Sequence, residues 1–236
     1  MWDNLAEKLW STPSRIDWDA DYWYNKNRNG IVREMIVDRW DGLKVLACGT
    51  GVGSAQWSDN EILGDLGAEV TKTNIVSGGG IQVACDVCNL PFKDESFDAV
   101  FCREVIEHVI DDASLMWEVS RVLKPHGWLM ITTPNGFNCM PDGKNHLRAY
   151  SPENLIDMVK YYRFEIIEKR GNVPNVMRAL LPLIQDGNKE ALEEFKKLAE
   201  LWKQVEESYY FGGELYLLCR KGEKGDGIVK DTVSTA

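Results

Sequence analysis

No stretch of about 18 consecutive apolar residues occurs in this chain, so none of it is expected to cross a membrane. The first residues, Met1-Trp2-Asp3-Asn4, lack the basic segment followed by an apolar one that marks a secretory leader. A cytoplasmic protein is therefore the expectation. Basic clusters are also missing, none being longer than a pair such as Lys169-Arg170. With 37 acidic against 27 basic residues the formal net charge is −10. An extended polyanion is gripped by many Lys and Arg contacts, so a nucleic-acid partner is disfavoured, a local basic groove aside. The six cysteines, at 48, 85, 88, 102, 139 and 219, are scattered through apparent core strands and turns. They read as free buried thiols in a reducing compartment. Cys85-x-x-Cys88 lacks two further ligands at a spacing that zinc would need. Internal repeats are absent, and nothing in the residues sets an oligomeric state.

What is present starts with a glycine-rich turn. An apolar run, Leu43 to Leu46, reads as a short buried strand that ends abruptly in Ala47-Cys48-Gly49-Thr50-Gly51-Val52-Gly53-Ser54. Glycines at 49, 51 and 53 allow a tight turn and let a ligand approach bare backbone. The N-terminus of the following helix would offer free N–H groups to a carboxylate or phosphate. Ala68 to Asn74 reads as a second strand, and Asn74 lies 21 residues past Gly53, where a nucleotide-binding fold places its ribose partner. Strands and helices then alternate to about residue 133, which predicts a mainly parallel sheet in one α/β domain with additions. Leu115, Met116, Val119, Val122 and Leu123 share one helical face, read as packing on that sheet. Ser151-Pro152 is a helix cap with proline at the first helical position, opening a helix to about Lys160. Phe164 to Glu168 reads as a strand.

The blocks Leu90-Pro91-Phe92, Ser96-Phe97-Asp98-Ala99-Val100 and Arg121-Val122-Leu123-Lys124-Pro125-His126-Gly127-Trp128 follow the glycine turn in a fixed order. On these residues the chain resembles the class I S-adenosylmethionine-dependent methyltransferases over roughly residues 40–165. The resemblance implies a Rossmann-like α/β fold: a mainly parallel seven-stranded sheet with helices on both faces. Glu214 to Cys219 resembles its antiparallel last strand. Residues 1–29 are assigned to an N-terminal cap, 30–221 to the methyltransferase domain with a helical insertion at about 173–207, and 222–236 to a flexible tail. Leu192, Phe195, Ala199, Trp202 and Val205 form one stripe of a charged helix within that insertion.

By the same resemblance Cys48, Gly49, Gly51 and Gly53 would line the methionine part of the cofactor and Asn74 would meet the ribose. Asp86 would accept from the adenine amino group, Val87 would donate its backbone N–H nearby, and Arg103 would border the donor methyl. Three features depart from the family pattern. The usual acidic residue before the glycine turn is missing. Asn74 replaces the acid that ends the second strand, exchanging a charged acceptor for a neutral one. The link Ile75 to Gly80 is too short for the usual crossover helix.

The acceptor side centres on Glu104-x-x-Glu107-His108, whose spacing would put three side chains on one helical face, with His146 as a possible fourth ligand. Two carboxylates and two imidazoles suit Mg²⁺ or Mn²⁺. The set resembles the metal site of methyltransferases acting on the terminal ribose of small RNAs, and of quinone-pathway O-methyltransferases. Without a metal, His108 or His146 would serve as general base. His126, in a turn, is given no role. The reading is O-methylation of a small-molecule or glycan acceptor. An RNA ribose 2'-O-methyltransferase and a non-catalytic methyltransferase-like module that binds a partner protein are the rivals.

Overall fold

A computed structural model describes residues 18–50, 56–137, 146–172, 189–203 and 208–223. Among them a seven-stranded sheet has the order β3-β2-β1-β4-β5-β7-β6. In chain order the elements are helix α1 (Trp18–Trp40), β1 (Lys44–Cys48), α2 (Gln56–Gly64), β2 (Glu69–Asn74), β3 (Val83–Ala84) and β4 (Phe97–Arg103). They continue with a 3-10 turn (Ile106–His108), α3 (Asp112–Val122), β5 (Leu123–Pro134), α4 (Pro152–Tyr161) and β6 (Phe164–Gly171). The last are α5 (Lys189–Lys203), α6 (Ser208–Phe211) and β7 (Glu214–Lys221). β7 runs antiparallel to both β5 and β6; β1, β2, β3, β4 and β5 pair in parallel. The sheet is thus the expected one.

Alternation along β1 explains the layers. Val45 and Ala47 face α1 and α2, where they bury with Ile31, Met35, Ile36, Trp40 and Ile62. Leu46 and Cys48 point the other way, into a cluster with Leu115, Met116, Val119, Val122, Leu155 and Val159 of α3 and α4. The apolar stripe of α3 is the face that the sequence singles out, except that Leu123 opens β5 rather than ending the helix. Asp111 caps α3 by accepting from Ser114 N at 2.9 Å, and Ser151 caps α4 by accepting from Asn154 N at 3.2 Å. Each such cap contributes about 1 kcal/mol.

Two boundaries differ from the sequence reading. β1 extends to Cys48, because the residues entering the glycine turn still pair with β4. α1 begins at Trp18, so residues 18–29 of the segment assigned to the cap are continuous with the helix beneath the sheet. β3 is only two residues long. The link before β3 carries no helix, as its length implies: Gly78, Gly79 and Gly80 all have positive φ (120°, 56° and 84°) and turn the chain back. Gln82 then seals the turn, donating its N–H to Lys72 O at 3.0 Å and accepting from Lys72 N through Oε1 at 2.8 Å. Much of the insertion at 173–207 and most of the tail at 222–236 lie outside the described residues.

Candidate active site

The strand order reverses beside β1, and a ligand in such a sheet sits beyond the carboxyl ends of the strands at that point. Gly49 follows β1 there with φ 62°. A Cβ on Gly49 would stand 2.6 Å from Val105 Cγ2, so the turn takes this path only with glycine. Gly51 and Gly53 lie outside the described residues. Thr50 is 1% exposed and its hydroxyl has no hydrogen-bond partner among the described residues.

Asn74 ends β2 at the same rim, half-buried, and its Oδ1 accepts from Ile75 N at 2.9 Å. Asp86 is exposed and closes a local turn, its Oδ1 accepting from Cys88 N at 2.9 Å, while Val87 behind it is buried. Arg103 ends β4 as expected, but its guanidinium is not open to the cleft. It is 5% exposed and pairs with Asp59 of α2 at 3.1 Å, tying the helix after the glycine turn to the strand. Cys48 is buried, and desolvation pushes its thiol up to about 12. That removes thiolate chemistry at neutral pH.

The acceptor side is where sequence and structure part. Glu104 does not share a helical face with Glu107 and His108. It sits in a left-handed conformation, φ 53°, before a single 3-10 turn. Its N–H donates to Thr132 O at 3.1 Å, and its Oε1 accepts from Thr132 Oγ1 at 2.8 Å. Its Oε2 lies 3.2 Å from Arg28 of α1. One turn later Glu107 is 1% exposed; its Oε2 accepts from Thr133 Oγ1 at 3.1 Å, and its Oε1 has no hydrogen bond among the described residues. His108 Nε2 stands 3.6 Å from that oxygen.

His146 reaches this turn because the returning segment is clamped to it. Leu147 N donates to Glu107 O at 2.8 Å, and Arg148 donates to Ile110 O at 2.5 Å and pairs with Asp112. The rings of His108 and His146 stand 5.0 Å apart. Ligand atoms of Glu107, His108 and His146 all lie within 4.8 Å of one another. Glu104 is not part of that trio, which corrects the four-ligand set.

Sequence reasoning missed two residues. Arg28 bridges Glu104 and Glu214, at 3.2 and 2.7 Å. Glu214 opens β7, almost fully buried, and accepts from Asn172 Nδ2 at 3.1 Å and from the Tyr216 hydroxyl. A lone acid heading the apolar run Leu215 to Cys219 was the available signal. Arg28 gave none, lying in a polar stretch of α1.

Burial, then repulsion from Glu104, holds the Glu107 carboxyl well above the usual carboxylate range. Glu104 is raised as well, by burial and by Glu214, against the opposing pull of Arg28. The folded chain therefore keeps protons that an unfolded glutamate releases near pH 4.3. This contribution to stability is complete at low pH and is lost as pH rises toward the raised folded value. Relative to wild type, Glu107→Gln is expected to gain melting temperature steadily from about pH 5 to 8 in chelator-treated protein. Parallel profiles for the two proteins would overturn the assignment.

A sequence profile for the family described as "Methyltransferase domain" matches residues 45–131, the span from β1 through β5 that carries this rim. Over this span the chain is similar to S-adenosylmethionine-dependent methyltransferases. Among curated proteins, a ubiquinone biosynthesis O-methyltransferase of Leptothrix cholodnii is 27% identical over 67% of this chain and 73% of its own. Methyltransferase GfsG of Streptomyces halstedii is 32% identical over 55% of this chain and 50% of its own. With a Mycolicibacterium smegmatis relative included, the chain spans between half and three quarters of these relatives' length. Among solved structures, the 1,6-didemethyltoxoflavin-N1-methyltransferase of Burkholderia thailandensis superposes with a TM-score of 0.54 at 16% identity, covering 94% of this chain and 87% of its own. That likeness concerns the fold. Among the described residues, no helix is long and apolar enough to cross a membrane.

Proposed function

We propose that the protein transfers the methyl group of S-adenosylmethionine to an oxygen of a small molecule or sugar. The observation that carries the reading is the convergence of Glu107, His108 and His146 beside the carboxyl ends of β4 and β5. It supplies proton-accepting groups next to the position where the family holds its cofactor. The Leptothrix relative is named for O-methylation, which agrees. A cytosolic setting fits the free cysteines at 48, 85, 88, 102 and 219.

The rim suits the cofactor. Gly49 presents backbone without a Cβ, and Thr50 and Glu107 keep buried oxygens that lack hydrogen bonds among the described residues. When bound, the cofactor supplies an electrophilic methyl group on a sulfonium. Cys48, Gly49, Gly51 and Gly53 would line its methionine end, Asn74 its ribose, and Asp86 with Val87 its adenine. Arg103 acts at one remove, holding α2 against β4 through Asp59. An imidazole of His108 or His146 takes the proton from the acceptor hydroxyl. The chain's part in an in-line displacement is to align the two partners and exclude water.

The same trio, one carboxylate and two imidazoles, is a donor set that suits Mn²⁺ better than Mg²⁺. A metal there would lower the pKa of a coordinated hydroxyl. Chelator treatment decides between the two forms: loss of turnover restored by Mg²⁺ or Mn²⁺ marks the metal, and unaffected turnover marks the imidazole base. Titration calorimetry tests the parent reading. S-adenosylmethionine is expected to bind and nicotinamide dinucleotides are not. A chain that binds neither would be the partner-binding module, and an RNA acceptor is opposed by the net charge of −10.

Asn74→Asp is expected to tighten cofactor binding by roughly tenfold or less. One carboxylate oxygen can keep the bond from Ile75 N while the other meets a ribose hydroxyl as a charged acceptor. Weaker or unchanged affinity in the same calorimeter would remove Asn74 from the ribose site.

A further inference from the structure

A second opening lies at the opposite end of the sheet. Asp94 and Glu95 before β4, Arg163 before β6 and Lys221 at the end of β7 border it, with Trp117 and Arg121 of α3 and Tyr162. These are the amino ends of the parallel strands, away from the glycine turn. The cavity measures about 270 Å³, the size of a small ligand site rather than of a long cofactor. Its frame is stitched by backbone bonds: Glu95 N to Arg121 O at 3.0 Å, Arg163 N to Lys160 O at 2.9 Å, and Gly222 N to Arg163 O at 2.9 Å.

Three observations bear on a ligand. Trp117, 50% exposed, presents aromatic surface at the cavity alongside Tyr162. Two of its cations are committed to the protein. Arg121 bonds Glu118, Asp94 and the Leu90 and Phe92 carbonyls, and Lys221 donates to Ser120 O and Leu123 O at 2.5 and 2.6 Å. Arg163 differs: its Nε is buried with no hydrogen-bond partner among the described residues, an arrangement that is costly until an acceptor arrives. Arg163 and Glu95 are also both left-handed, with φ 67° and 54°. Non-glycine residues strained in this way gather at ligand sites. The lining carries three acids, Asp94, Glu95 and Glu223, and three cations, Arg121, Arg163 and Lys221, so its formal charges cancel and a polyphosphate is disfavoured.

We propose that this cavity is a second small-molecule site, separate from the cofactor cleft, that takes a planar aromatic carboxylate. The ring lies against Trp117 and Tyr162, and the carboxylate accepts from the Arg163 guanidinium.

Calorimetry on the full chain with 2-naphthoate and its neutral counterpart 2-naphthalenemethanol tests this. The carboxylate is expected to bind with a dissociation constant of about 0.1–1 mM and the alcohol at least about tenfold more weakly. Saturating S-adenosylmethionine should leave both unchanged. Arg163→Gly removes the guanidinium and relieves the left-handed backbone, so it should fold with an undiminished melting temperature and lose the preference for the acid. Trp117→Ala, on an exposed helix face where alanine is favourable, should weaken both ligands alike. No binding up to about 5 mM, equal binding of acid and alcohol, competition with S-adenosylmethionine, or a preference that survives in Arg163→Gly would each overturn the proposal.

Discussion

His146→Ala is expected to lower methyl transfer by roughly 10²–10⁴-fold, while the affinity for S-adenosylmethionine stays within about twofold. The side chain stands with its ring 5.0 Å from that of His108 and within ligand reach of Glu107. On the proposed reading it would contribute either as proton acceptor or as metal ligand, and its loss would defeat both. His108→Ala should fall by a similar factor, because the two imidazoles and one carboxylate act as a unit and their effects do not add. His126→Ala is the control. That histidine is exposed within β5, 3.4 Å from Glu223, and its loss should leave turnover unchanged. The measurement is transfer of labelled methyl to whichever member of a hydroxyl-bearing acceptor panel supports turnover in wild type. Undiminished transfer in His146→Ala would remove the trio from the chemistry and leave its convergence a matter of packing.

Glu214→Ala is expected to cost about 3 kcal/mol of stability. For a chain of this length that is a fall of about 6–12 °C in melting temperature. The carboxylate receives Arg28 Nε, Asn172 Nδ2 and the Tyr216 hydroxyl, and its own N–H donates to Asn172 Oδ1 at 2.8 Å. Trp202 of α5 reaches the same network by donating Nε1 to Asn172 O at 3.2 Å. Removing the acid takes from a partly buried guanidinium the carboxylate that stands 2.7 Å from its Nε. Glu214→Gln keeps an acceptor and should lose less than half as much. Hydrogen exchange should rise in α1 and α5 together in the alanine variant, with α3 unchanged. A thermal shift under about 2 °C would refute the role of Glu214 as the tie between these elements.

Much of this protein is set by local sequence. The apolar run that breaks into Cys48-Gly49-Thr50-Gly51 specifies a strand and a tight turn, because only glycine takes φ 62° with Val105 so close. Period and capping placed α3 and α4, since Ser151, Asp111 and the stripe Leu115, Met116, Val119 and Val122 act within one or two helical turns. The short link after Asn74 excluded a crossover helix by reach alone. Tertiary structure decided the rest. A three-residue spacing could not reveal that Glu104 would be left-handed, because that conformation is imposed by bonds to Thr132 on the neighbouring strand. Whether Arg103 faced the cleft depended on where α2 placed Asp59. His146 joins Glu107 and His108 only through the clamp of Leu147 and Arg148, bonds between segments nearly 40 residues apart. Arg28 and Glu214, 186 residues apart, had no sequence signature as a pair. A buried charge finds its partner through the whole fold, and neither side chain carries that partner's address in its neighbours.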